Sequence, residues 1–181
     1  MSPALSGTPI LEELVQEISS RRRDSLRSLI RKPANQPHFY FSGIHTCTRA
    51  LFYQLTAGDK REPVDEGLQA LFSAGNIWER EIVRDLLGLG FDWIKAQETV
   101  EIKYQGKVEH LRGQVMARGR LDGCLRYKRL EIPAEIKTMS SHMFAKIKTA
   151  DDLREFDYTE RYLRQLCSYL MVKGSEMGLF I

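Results

Sequence analysis

No stretch of the 181-residue chain approaches the ~20 consecutive apolar residues of a membrane-spanning helix. The N-terminus lacks the basic region, apolar run and small-residue cleavage site of a secretory signal. Cysteine is scarce. Cys47, Cys124 and Cys167 are too few and too scattered for a disulfide framework, and with the four histidines they show no zinc-ligand spacing. Gly-rich phosphate loops, internal repeats and low-complexity tracts are absent as well. These absences argue against membrane channels, disulfide-stapled secreted modules, zinc-binding folds and P-loop nucleotide hydrolases. They leave a globular chain with no membrane partner, expected in the reducing cytoplasm.

Charge is plentiful, at 28% of residues, and the net charge of +3 conceals its segregation. Residues 19–49 carry seven Lys/Arg against one acid, and residues 103–148 carry eleven against four. Between them, residues 61–102 carry four Lys/Arg against nine acids. Two basic blocks flanking an acidic one point to a polyanionic partner; the alternative is a solvated surface of mixed charge.

Residues 1–8 read as a loose tail. Over 9–32 the apolar residues Leu11, Leu14, Val15, Ile18, Leu26, Leu29 and Ile30 recur at three and four, predicting one or two amphipathic helices. A short helix is expected over 46–55. A long one is expected over 64–87, stopped by Gly88 and Gly90, and another over 157–173, stopped by Gly174. Period-two patterning predicts strands over 99–104, 118–127 and 129–138 as an antiparallel set, with a further strand beginning at Met177. Residues 139–156 give mixed helix and loop signals. The order of elements predicts an α+β or α/β fold. The chain stops within an apolar strand, so the expectation is that more strands follow or that a partner completes the sheet.

The chemistry concentrates in Gly119-Arg120-Leu121-Asp122-Gly123 and, further on, Glu135-Ile136-Lys137. Alternation along a strand puts Glu135 and Lys137 on one face and Ile136 on the other. If the two strands form a hairpin, Asp122, near the middle of its strand, approaches Glu135. Two converging carboxylates repel unless a cation lies between them, and hard divalent ions prefer oxygen ligands. Lys137 is then placed to stabilise developing negative charge. Taken singly, Asp122 reads as a turn residue, and Glu135 with Lys137 as an exposed ion pair.

This arrangement resembles the core of the PD-(D/E)XK nuclease superfamily. Three further blocks resemble its RecB-like branch, which includes CRISPR-associated exonucleases and nuclease domains of recombination helicases. Cys47-Thr48-Arg49-Ala50-Leu51-Phe52-Tyr53 looks like its Cys-x-Arg-x-x-x-Tyr motif. Gly75-Asn76-Ile77-Trp78-Glu79 looks like its Gly-x-x-x-His helix, with Glu in place of His. Gln165-Leu166-Cys167-Ser168-Tyr169 matches its Gln-x-x-x-Tyr motif.

The resemblance implies a restriction-endonuclease-like core, with a central mixed sheet flanked by helices and an N-terminal helical extension. It divides the chain into a helical segment over 1–60 and a nuclease core over 61–181, the latter expected to continue beyond its C-terminus. It implies Mg²⁺ or Mn²⁺ held by Asp122, Glu135, the Ile136 carbonyl and Glu79, with Lys137 as catalytic lysine. Gln165 and Tyr169 are implied to line the active site and position the strand being cut, and Arg49 and Arg120 to contact DNA. Glu79 has the alternative of an exposed residue in the run Glu79–Glu81. An iron–sulfur cluster is not expected within these 181 residues, since only Cys47 has a counterpart in the cluster pattern. Cys47, Cys124 and Cys167 are expected to be packed residues. Phe39, Tyr40, Phe41, Phe52, Tyr53 and Trp78 are either base-stacking groups or core, and His45 and His142 are loop-like spectators.

The activity implied is metal-dependent hydrolysis of DNA, at ends or on single strands, in recombination, repair or defence, with helicase or defence proteins as partners. The alternatives are a non-catalytic nucleic-acid-binding module on the same fold, and a structure-specific or restriction-like endonuclease. Polarity, DNA against RNA and oligomeric state are not legible.

Overall fold

The acidic block folds as the longest helix of the chain because its start and its apolar face are both written locally. Asp65 Oδ1 accepts the Leu68 amide at 2.7 Å and caps the helix. In the computed structural model, which describes residues 9–44 and 46–181, this helix is α3 (Glu66–Gly88). It follows α1 (Pro9–Leu29), β1 (Phe39–Tyr40) and α2 (Thr48–Thr56). Then come β2 (Asp92–Ile94), β3 (Glu98–Lys103), β4 (Val115–Leu121), β5 (Gly123–Tyr127), β6 (Leu130–Glu135), α4 (Ser141–Lys146), α5 (Asp157–Lys173) and β7 (Leu179–Phe180). The tail expected over 1–8 and the spectator role expected for His45 lie outside the described residues. No described helix is long and apolar enough to cross a membrane.

The chain is mixed α/β, as the order of elements predicts, but the strands form two sheets instead of one central sheet. One has the order β1-β4-β3, with β1 parallel and β3 antiparallel to β4. The other has the order β2-β5-β6-β7, antiparallel except for the parallel β6–β7 pair. The division falls at Asp122, inside the single strand expected over 118–127. The Asp122 carbonyl accepts the Gln97 amide at 3.0 Å and its carboxylate accepts the Ile136 amide at 2.8 Å, so both groups leave the regular ladder. Asp122 is therefore a junction between β4 and β5, not the middle of a strand. The strand expected over 129–138 is likewise shorter, ending at Glu135.

The described core gathers Phe41, Val100, Ala117, Leu121, Cys124 and Tyr169. Phe41 meets the Tyr169 ring edge-on at 5.2 Å between centroids. Gly119 is required beneath this pair, because an added Cβ would lie 2.5 Å from both Phe41 Cδ2 and Tyr169 Cε1. Gly119→Ala is expected to lower stability by about 1–3 kcal/mol through overpacking, read from the urea midpoint at unchanged m-value. Tyr169 anchors α5 to the core. α1 is tied to α3 by Arg27 Nε and Glu66 Oε1 at 2.6 Å.

Cys124 is buried as expected, whereas Cys47 and Cys167 are exposed. Cys47 precedes the first turn of α2, and Cys167 lies on the side of α5 away from buried Leu166 and Tyr169. His142 belongs to α4 rather than to a loop, since Ser140 Oγ caps that helix by accepting the Met143 amide. Phe41 is core, and Phe39 packs against it; Phe52, Tyr53 and Trp78 are exposed.

Candidate active site

The β5–β6 hairpin aligns Gly123 with Ala134, which brings Asp122 alongside Glu135. The Ile136 amide donates to Asp122 Oδ2 at 2.8 Å, which locks the junction to the end of β6. Glu135 is fully buried. Lys137, two residues on and on the same face, places Nζ 2.7 Å from Glu135 Oε2. The Lys137 ammonium also lies over the Tyr162 ring, 5.4 Å from its centroid. The backbone on either side is held by β7: the Ile181 amide donates to the Glu135 carbonyl at 3.1 Å, and the Lys137 amide to the Ile181 carbonyl at 3.0 Å.

Burial raises the Glu135 carboxyl from 4.5 to about 7, against the pull of Lys137 and with a further push from Asp122. The site thus holds a carboxylate that the fold desolvates and the nearby lysine only partly compensates. Gln165 bridges it from α5: its Nε2 lies 3.3 Å from Glu135 Oε1 and 3.3 Å from the Tyr169 hydroxyl. The Tyr169 hydroxyl donates to the Arg120 carbonyl at 2.9 Å, and burial holds the phenol protonated well above its usual range, with Glu135 adding to the effect. Gln165 and Tyr169 therefore act on Glu135 and on the β4 backbone.

Glu79 approaches from α3. Burial raises its pKa first, and Asp122 second, so the two carboxylates sense each other. Gln97 Nε2 donates to Glu79 Oε1. This residue is invisible to motif reasoning, because its placement comes from its backbone. Gln97 and Lys95 both lie in the left-handed region, at φ 57° and 52°, in the turn between β2 and β3. Residues other than glycine rarely adopt that conformation, and here it falls in the turn that lies beside the carboxylates. From that turn Gln97 reaches both Asp122, through its amide, and Glu79, through its side chain. The only sequence signal is the absence of glycine in a tight interstrand connection.

Beside the carboxylates opens a cleft of about 600 Å³, lined by Arg31, Tyr40, Arg118, Arg120, Asp122, Gln165 and Tyr169 among others. Arg31 comes from the first basic block and Arg118 and Arg120 from the second, so folding joins charges that are far apart in sequence. Arg118 is paired with Glu101, while Arg31 and Arg120 pair with no carboxylate among the described residues. Arg49 is not brought to this cleft; its guanidinium stacks over Tyr53 on exposed α2 at 5.7 Å.

The donor set fits a hard divalent cation of the Mg²⁺ class. Such an ion is held by one or two carboxylates and keeps several waters. Asp122 and Glu135 would supply that pair, and Glu79 lies near enough to Asp122 to feel its charge. Among the described residues no group of three or more His, Cys, Asp or Glu is placed so that it could hold a metal ion together. Comparison of the chain with protein-family profiles, with curated proteins and with solved structures finds no match, so the chemistry of this site rests on its own geometry.

Proposed function

We propose that the chain is a metal-dependent deoxyribonuclease similar to the RecB-like branch of the PD-(D/E)XK superfamily, with a restriction-endonuclease-like core divided at Asp122. One observation carries this reading: a fully buried Glu135, flanked by Asp122 and Lys137, stands beside an arginine-lined cleft. A buried carboxylate with a second, half-buried one beside it is costly without a cation, and a cationic cleft is wasted without an anion.

In this reading Asp122 and Glu135 hold Mg²⁺ or Mn²⁺ with the Ile136 carbonyl, and Glu79 is the remaining candidate ligand. The ion, when bound, polarises the phosphoryl oxygen and acidifies water. Arg31 and Arg120 grip the phosphates on either side. Lys137 stabilises charge on the phosphate under attack by water, as the sugar oxygen departs. Gln165 and Tyr169 keep Glu135 from rotating, and Gln97 does the same for Glu79. Substrate binding is salt-sensitive and largely blind to sequence, because the cleft offers guanidinium groups in place of a base-reading surface.

The experiment is cleavage of end-labelled single-stranded and duplex DNA with Mg²⁺ or Mn²⁺, against EDTA. Metal-dependent product formation is expected, fastest on single strands. Intact substrate with either ion at millimolar concentration overturns the reading and favours a nucleic-acid-binding module, which the absence of a three-residue acidic cage and the Gln97 clasp on Glu79 would then explain. Gln97→Leu separates these roles further. Releasing Glu79 is expected to weaken Mn²⁺ binding about tenfold, the usual scale for a residue that orients a ligand, with an unchanged circular dichroism spectrum.

A further inference from the structure

A second cavity, of about 480 Å³, shares Arg31 with the cleft just described. Arg31 lines both. The second cavity also contains Arg61, Glu62 and the α3 residues Gln69, Phe72, Ser73 and Asn76. The α3 residues are spaced three and four apart and so lie on one helical face. Continuing that face by three residues reaches Glu79, at the carboxylate cluster. The cavity is thus connected to the candidate active site twice, through the shared arginine and along α3.

We infer that this cavity is a second binding subsite for a single-stranded polynucleotide, taking nucleotides several positions away from the bond that is cut. The inference rests on the nuclease reading of the carboxylate cluster. Its chemistry is what a strand requires. Arg31 and Arg61 are exposed and form no ion pair among the described residues, which leaves their guanidinium groups available to phosphate. Glu62, from the same lining, offsets one of these charges and limits the cavity to a short stretch of backbone. Phe72 is 51% exposed and provides an aromatic face for a base. Gln69, Ser73 and Asn76 offer hydrogen-bond donors and acceptors along the same face. At 1.5 Å rise per residue, Gln69 lies about 15 Å along the helix axis from Glu79. A strand stacked at 3.4 Å per nucleotide covers that span in about four nucleotides. A duplex is a poor occupant, because its bases are turned inward and cannot reach Phe72.

The test is the length dependence of binding. Fluorescein-labelled oligothymidines of three and twelve nucleotides are titrated with the full chain in EDTA, so that binding is read without chemistry, and then used as cleavage substrates with Mn²⁺. The wild type is expected to bind the twelve-mer about a hundredfold more tightly than the three-mer, well beyond the roughly tenfold that the overlapping three-nucleotide registers of the longer strand supply by themselves. Phe72→Ala with Arg61→Ala is expected to erase most of that difference while leaving kcat and three-mer binding within twofold. Arg61→Glu, a surface change that folding tolerates, is expected to do the same. Unchanged twelve-mer affinity in both variants overturns the subsite, as does a wild type with no preference for length. If the wild type shows the preference but cleaves neither oligomer, the subsite stands and the nuclease reading fails. Equal loss on both oligomers also overturns the subsite, since it marks a general effect on the track.

Discussion

Lys137→Ala is expected to lower the rate of cleavage by about 10²–10⁴, the range associated with loss of a positioned group that acts on the reacting centre, with little change in DNA affinity. Lys137 Nζ is held 2.7 Å from Glu135 and lies over Tyr162, so two contacts place it beside the buried carboxylate. In the proposed reading, binding of the strand depends on Arg31 and Arg120, which the substitution leaves in place. A single-turnover time course on labelled DNA, with affinity measured separately in EDTA, reads the two effects apart. Equal rates for the variant and the wild type would remove Lys137 from the mechanism.

Glu135→Gln is expected to abolish cleavage and, at the same time, to stabilise the metal-free fold. Folded Glu135 keeps its proton up to about pH 7, whereas an unfolded glutamate releases it near 4.5. Between those values the native state binds more protons than the unfolded chain, so the contribution of this residue to stability falls as pH rises. Above pH 7 the penalty is fully present, on the order of 3 kcal/mol. Gln removes the charge but also leaves Lys137 without its partner, so the net gain at pH 8 is expected to be about 1–3 kcal/mol. It should vanish at pH 4, where wild-type Glu135 is protonated in both states. Urea denaturation of both proteins at the two pH values measures this directly. In the proposed reading the same proton is expected to make metal binding and cleavage rise with pH through about 7, since only the ionised carboxylate serves as a ligand.

What was legible in the sequence depended on the length of the signal. The bounds of α5, Asp157–Lys173, follow from its periodicity and the Gly174 stop, and Gly174 caps the helix at φ 62°. The convergence of Asp122, Glu135 and Lys137 followed from alternation and a hairpin. β1 and β2 were not legible, because strands of two and three residues are too short to show a period. The break at Asp122 was hidden for a different reason. The residues on either side continue to alternate, and only long-range hydrogen bonds from Gln97 and Ile136 divert the chain. Gln97 owes its role to a left-handed backbone and Arg31 to a fold that carries it across to the second basic block. Neither leaves a mark in a linear pattern. The exposed Cys47 and Cys167 show the converse: a residue type usually buried says little about a single position.

The central claim is that Asp122 and Glu135 form a divalent-cation site. Calorimetric titration of Mn²⁺ into the chain at pH 7 and pH 8.5, in buffers of different ionisation enthalpy, tests it most directly. The account predicts saturable binding that releases about half a proton at pH 7 and close to none at pH 8.5, and loss of that binding in Glu135→Gln. An absence of heat at millimolar Mn²⁺, or equal affinity in the wild type and Glu135→Gln, would contradict it.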